Sequence, residues 1–310
     1  MSTEGIRVRM EGVTKRFGSK TALDGISLSV RGGEVYGFIG PNGAGKTTTM
    51  GILVGLTRPD TGLCEIDGRS HGTRNATGIG FLPEEPAFPQ ALTGREYLRL
   101  VAGTMRLPET EADRLLARVS LTEAAHRRAG GYSRGMRQRL GLACALLGDP
   151  DLFVLDEPSS ALDPEGRKDV VDLILTLKAE GRTVFLSTHI LSDIERICDR
   201  IALIDRGRIL LEGSMGDLVG EGFSDRMDLA FRRPLSASEW KAISTLPFAR
   251  SVEPADGGLH ASLLMKPGDP DGGRRSLVRA LADLDLPVLS LNPRRLTLEE
   301  LFLSKVGRHE

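Results

Sequence analysis

The spacing of apolar and polar positions divides the chain into three regions. In the first, IRVRMEGV (6–13) alternates apolar with charged or small side chains and ISLSV (26–30) repeats the alternation, so both predict half-buried strands. Between them VTKRFGSKTAL reads as a turn. VYGFI (35–39) is an unbroken apolar run of the kind a buried parallel strand shows, and a glycine-rich segment and a helix opening at Lys46 follow it. Pro59, Gly62 and Gly68 around the short run CEI predict a loop and hairpin, and GIGFL (78–82) is another apolar run.

The second region, from Thr93 to about Leu147, has helical periodicity. It holds TGREYLRLVAGTMRL, ETEADRLLARVSL and a third helix from near Ser133. Thr93 with Glu96 fits a capping box, and Pro108 is expected to end that first helix. Strand and helix then alternate again: strand DLFVLDE (151–157), helix Pro164 to Glu180, strand TVFLST (183–188), helix Leu191 to Cys198 and strand RIALID. This alternation predicts an α/β fold with a mostly parallel sheet and a helical insertion over about residues 88–148.

The third region begins after GDLVGEGFSD, a glycine-containing stretch of weak periodicity past Ser214. There MDLAF, SASEWKAIS, FARSVE, LHASLLM, GRRSLVRALADL and PVLSL read as strand, helix, strand, strand, helix, strand. That order, βαββαβ, is the ferredoxin-like pattern of a small α+β domain. A closing helix, LTLEELFLSKV, is expected from Thr297. The predicted organisation is one domain over residues 1–218 and a C-terminal accessory or regulatory domain over residues 222–310.

Composition narrows the function classes. A formal net charge of -1 over 310 residues offers no electrostatic footprint for nucleic acid. The 3 cysteines, Cys64, Cys144 and Cys198, are scattered without CxxC spacing and suggest neither a disulfide framework nor a zinc site. No apolar run approaches the ~18 residues of a membrane span, and MSTEGIRVRM lacks an apolar signal core.

The chemistry concentrates after the VYGFI run. Gly40, Gly45, Lys46 and Thr47 satisfy GxxxxGK[ST], a loop whose backbone N–H groups, with the following helix N-terminus, cradle nucleotide phosphates. Lys46 is expected on the β- and γ-phosphates, the Thr47 hydroxyl on Mg²⁺, and Asn42, Gly43 and Thr48 belong to the same nucleotide-contacting set. Asp156 and Glu157 close an apolar strand, where open α/β sheets place ligand groups. The aspartate suits Mg²⁺ and the glutamate suits a water attacking the γ-phosphate in line. His189 follows the next strand, and it is either a structural histidine or a catalytic one beside that phosphate. Phe17, ahead of the phosphate loop, is either an adenine-stacking aromatic or a hydrophobic plug under a hairpin.

YSRGMRQRL (132–140) is the most discriminating stretch. It is similar to the ABC signature, LSGGQ in its common form, with Ser133 and Gly135 matching and Tyr132, Arg134 and Met136 departing. Over roughly residues 6 to 215 the chain resembles the nucleotide-binding subunit of an ABC transporter, of the type found in bacterial drug and antibiotic exporters. The resemblance implies a P-loop NTPase core of ABC type that hydrolyses ATP with Mg²⁺ at a dimer interface to drive transport through a separate transmembrane permease subunit. It implies that Phe17 stacks on adenine, that His189 is the switch histidine, and that SALD with Asp163 crosses to the other subunit. Ser133 and Gly135 would meet the partner's nucleotide, the partner being a second copy or a paralogous ATPase subunit. It also implies a peripheral location on the cytoplasmic face of the membrane and a docking groove beside Glu84, Pro86 and the helix from Thr93, for which Phe88, Leu92, Tyr97 and Leu98 are candidate lining residues that helix periodicity would equally make core. Glu84 stands where the family usually has glutamine; its oxygen still suits Mg²⁺, while its charge adds to that of a triphosphate.

The alternative is a soluble ABC-type ATPase acting on a non-membrane partner. The DNA-repair class would carry long heptad repeats between phosphate loop and signature, and the ribosome-associated class two ATPase units. This chain has a compact insertion and one unit. A nucleotide-gated scaffold that does not turn over would lack Glu157 or His189, and both are present.

Overall fold

The computed structural model describes residues 5–70, 78–220, 223–265, 270–295, 298–300 and 302. The chain divides into two compact units, Met1–Met215 and Gly216–Glu310.

The first unit opens with β1 (Ile6–Phe17) and β2 (Lys20–Arg31), a long antiparallel hairpin joined by Gly18 and Ser19 alone. The expected turn VTKRFGSKTAL is thus strand almost throughout. Register shifts after Met10, Val13 and Lys15 break the alternation that would have marked it as such. Next come β3 (Val35–Ile39), α1 (Lys46–Leu53), β4 (Thr61–Ile66), β5 (Arg69–Ser70) and β6 (Ile79–Leu82). Three helices follow, α2 (Gly94–Thr104), α3 (Thr110–Arg118) and α4 (Arg134–Ala145), and then β7 (Leu152–Asp156), α5 (Pro164–Ala179), β8 (Thr183–Ser187), α6 (Leu191–Ile197), β9 (Arg200–Asp205) and β10 (Arg208–Ser214).

The strands form two sheets, β2-β1-β4-β5 and β10-β9-β3-β8-β7-β6. In the second, β3 runs parallel to both β8 and β9, and β7 lies between β8 and β6. All residues of β3, β7 and β8 are buried, as their unbroken apolar runs require. One core joins the sheets: Val8, Met10, Leu23 and Ile26 belong to the same buried cluster as Phe38, Met50, Val154, Phe185 and Ile204. Burying these side chains stabilises the unit by about 1.5–3 kcal/mol for each large aliphatic or aromatic residue, against the entropy of ordering it. β10, absent from the sequence-based expectation, pairs antiparallel with β9 as an edge strand.

The capping box at Thr93 is present: its hydroxyl accepts from the Glu96 N–H at 3.2 Å and the Glu96 carboxylate accepts from the Thr93 N–H at 2.8 Å. The helix ends at Thr104, earlier than Pro108. Pro108 disfavours helical backbone at Leu107. Arg106 takes φ 57, and the Leu107 N–H reaches the Ala102 carbonyl at 2.9 Å, a Schellman closure.

The second unit contains β11 (Phe223–Phe231), α7 (Ala237–Ser244), β12 (Ala249–Ala255), β13 (His260–Met265), α8 (Pro270–Asp283) and β14 (Val288–Arg295). The strand order β12-β13-β11-β14, antiparallel at every pairing, is the ferredoxin-like arrangement of a βαββαβ chain. Met227, Leu229, Phe231, Ile243, Leu263 and Leu277 form its core. The helix expected from Thr297 lies for the most part outside the described residues. Among the described residues no helix is long and apolar enough to cross a membrane.

Candidate functional site

The phosphate loop joins the end of β3 to α1. Gly43 and Gly45 hold φ 80 and 115, a left-handed region that side chains disfavour. Gly40 is required for a different reason: a Cβ there would lie 2.3 Å from the Ile204 carbonyl oxygen at the end of β9. The loop is also held from behind, where the Gly207 N–H donates to the Ala44 carbonyl at 2.9 Å. Lys46 is buried; its Nζ donates to the Gly40 carbonyl at 2.7 Å and lies 3.8 Å from Glu157 Oε1.

The acidic pair stands at the end of β7, beside β8. Ser187 Oγ donates to Asp156 Oδ1 at 2.6 Å and accepts from the Glu157 N–H at 3.0 Å. Asp156 Oδ2 is buried and has no hydrogen-bond partner among the described residues. Glu157 sits at φ 50, a conformation that persists in a non-glycine residue only when its surroundings over-determine it. Here Ser187 takes its N–H and buried Gln138 Nε2, on α4, donates to its carbonyl at 3.3 Å. The carboxylate then meets His189: Nδ1 lies 2.8 Å from Glu157 Oε2.

A cavity of about 420 Å³ gathers these groups. Its walls bring together Phe17, Asn42, Gly43, Gly45, Lys46, Thr47, Thr48, Glu84, Asp156 and Glu157, with Lys20 and Ala22. His189 adjoins it through Glu157, and Gly40 stands behind the loop. Phe17 is 53% exposed, so it is no buried plug under the hairpin.

Ser133, Gly135 and Asp163 are not among the lining residues. Ser133 Oγ caps α4 by accepting from the Met136 N–H at 3.2 Å, and Asp163 Oδ1 caps α5 by accepting from the Gly166 N–H at 2.9 Å. The two caps adjoin each other, since a Cβ on Gly135 would stand 3.3 Å from Leu162 Cδ2. Of the four residues expected to line a docking groove, Leu98 is core, fully buried. Phe88 and Tyr97 are half-buried and pack edge to face at 5.1 Å.

A phosphate loop after β3, with a buried aspartate and a histidine-tethered glutamate at the end of β7, one strand removed across β8, defines a P-loop nucleotide hydrolase. The family model described as "ABC transporter" matches residues 23–160. A daunorubicin resistance ATP-binding protein of Streptomyces coeruleorubidus is 36% identical over 308 residues, covering 97% of this chain and 96% of the relative. A Nod factor export ATP-binding protein of Ralstonia nicotianae is 33% identical, covering 96% and 93%. Among solved structures, an ATP-binding subunit of an ABC transporter superposes with TM-score 0.63 at 31% identity, covering 68% of this chain and 91% of its own. A dimeric ATP-binding cassette with ADP and Pi, in a post-hydrolysis state, gives TM-score 0.62 at 25% identity, covering 67% and 98%. The chain belongs to the ABC transporter family. Within that family it is an ATP-binding subunit, an ATP hydrolase of drug-exporter type.

Sequence reasoning singled out neither Ser187 nor Gln138. Both lie inside TVFLST and YSRGMRQRL, but their partners are an N–H and a carbonyl contributed by another strand end.

Proposed function

We propose that the chain hydrolyses ATP in the interface of a dimer and delivers the resulting movement to a separate membrane subunit that exports its cargo, while itself sitting peripherally on the cytoplasmic face of the membrane. The observation that carries the catalytic part is the Glu157–His189 contact at 2.8 Å beside buried Lys46. Glu157 takes the proton of the attacking water. His189 orients that carboxylate from one side and Gln138 fixes the strained backbone beneath it. Lys46 holds the β- and γ-phosphates, the loop N–H groups around Gly43 and Gly45 hold the rest, and Phe17 stacks on the adenine.

The donor set fits a divalent cation. Thr47, Asp156 and Glu84 offer hard oxygen donors and line the same cavity, and buried Asp156 Oδ2 is left without a partner among the described residues. Mg²⁺ held there supplies charge neutralisation at the phosphate oxygens.

Ser133, Gly135 and Asp163 serve the partner subunit's nucleotide, with the two subunits identical or paralogous. The docking surface for the membrane subunit is the groove beside Glu84, Pro86 and α2, with Phe88 and Tyr97 at its wall.

Glu157→Gln tests the catalytic assignment. Steady-state ATP turnover is expected to fall about 10²- to 10⁴-fold, the range for losing a positioned base, with ATP affinity retained. Near-normal turnover by the purified variant removes Glu157 from this role.

A further inference from the structure

Phe17 is held by a chain of contacts that begins outside the nucleotide cavity. Asp60 immediately precedes β4, and its N–H donates to the Thr14 carbonyl at 2.8 Å, which fixes it against the last residues of β1. Its carboxylate is used on both oxygens: Oδ1 accepts from Lys15 Nζ at 2.9 Å and Oδ2 from the Arg16 N–H at 2.7 Å. The residue before Phe17 is thus held by its backbone, and the residue before that by its side chain. Lys15 and Phe17 are two apart in β1, on either side of the register shift after Lys15, and their side chains meet. The Lys15 ammonium lies over the Phe17 ring, 5.4 Å from its centroid and within cation–π reach.

Without such a hold, a half-exposed phenyl ring next to a two-residue turn would exchange rotamers in solvent. Lys15 is well placed to supply the hold, because its own side chain is only 14% exposed and already tied down. We propose that Asp60 and Lys15 are positioning residues for the base: Asp60 anchors Lys15 over one face of Phe17, leaving the opposite face presented to the purine of the nucleotide. The clamp governs affinity for the base and leaves the phosphates untouched. It rests on the reading of Phe17 as the stacking aromatic.

Charge and positioning predict opposite signs for one substitution. Asp60→Asn removes a negative charge near a polyanion, so electrostatics alone would tighten ATP binding; release of Lys15 and Phe17 weakens it. Calorimetric titration of the full chain with ATP and with inorganic tripolyphosphate, both with Mg²⁺, separates them. Asp60→Asn and Lys15→Met are each expected to weaken ATP roughly 2- to 5-fold, the factor an exposed cation–π contact supplies, with tripolyphosphate affinity unchanged. Asp60→Glu should recover most of the loss. Phe17→Ala should weaken ATP further, and adding Asp60→Asn to it should do nothing more, since the two act through one ring.

Unchanged or tighter ATP binding in Asp60→Asn, with ATP still lost in Phe17→Ala, overturns the clamp and leaves the stacking reading in place. Equal weakening of ATP and tripolyphosphate in Phe17→Ala overturns both. Equal weakening of the two ligands in Lys15→Met shows a charge effect in place of positioning and also overturns the clamp. Intact tripolyphosphate affinity doubles as the sign that each variant is folded.

Discussion

At the phosphate end of the nucleotide machinery, the buried charged groups Lys46, Asp156 and Glu157 are each braced by neighbouring groups. Lys46 is tied to Gly40 and neighbours Glu157, Glu157 is tied to Ser187, Gln138 and His189, and Asp156 to Ser187. At the signature end, Ser133 and Asp163 are exposed, and each side chain caps its own helix. Preorganised groups of the first kind are set before a reacting phosphate arrives, which is what transition-state stabilisation requires. The exposed caps of the second kind each hold only a backbone N–H of their own helix among the described residues. The contrast supports a division of labour in which one end performs chemistry and the other presents a surface to someone else's nucleotide.

Mixing variants puts that division at risk most directly. Glu157→Gln disables the chemical end and Gly135→Glu, with Leu162 crowding the position, disables the presenting end. Each alone should be nearly inactive, and an equimolar mixture of the two should recover ATPase activity, because each mixed dimer reassembles one intact site. A mixture no more active than its components places both ends in the same subunit's site.

A second test stays within the braced end. Lys46→Ala should weaken ATP by about 1.5–3 kcal/mol, the range for a hydrogen bond to a charged group. Titration with a fluorescent ATP analogue reads this, and unchanged affinity contradicts the phosphate-loop assignment.

The smallest effect is expected at the presenting end. Ser133→Ala removes a helix cap worth about 1 kcal/mol, so the melting temperature should fall by roughly 2–4 °C in a domain of this size. A much larger fall would mean that the signature end is braced after all.

How far these features were legible in the sequence depends on whether partners lie near one another along the chain. The phosphate loop, the VYGFI strand and the Thr93 capping box were readable because turn, strand and cap are local patterns. The βαββαβ order of the second unit was readable from alternating periodicities. The hairpin through Phe17 reads as a turn in the sequence, since its bulges interrupt the period-two pattern and its run of Lys15, Arg16, Gly18, Ser19 and Lys20 resembles a loop. β10 was missed because all but the first of its residues are of intermediate exposure and give no clear alternation. Ser187, Gln138 and Asp60 act on backbone atoms distant in sequence, and no spacing rule reports such pairings.

The hydrogen bond from Gly207 to Ala44 bears on where a minimal catalytic fragment of this protein ends. A truncation designed from motifs alone would stop shortly after His189. Such a fragment would lack Ile204, whose carbonyl abuts Gly40, and the Gly207 turn that backs the phosphate loop. A piece that keeps both contacts to the nucleotide loop therefore runs through β9 and at least to Gly207.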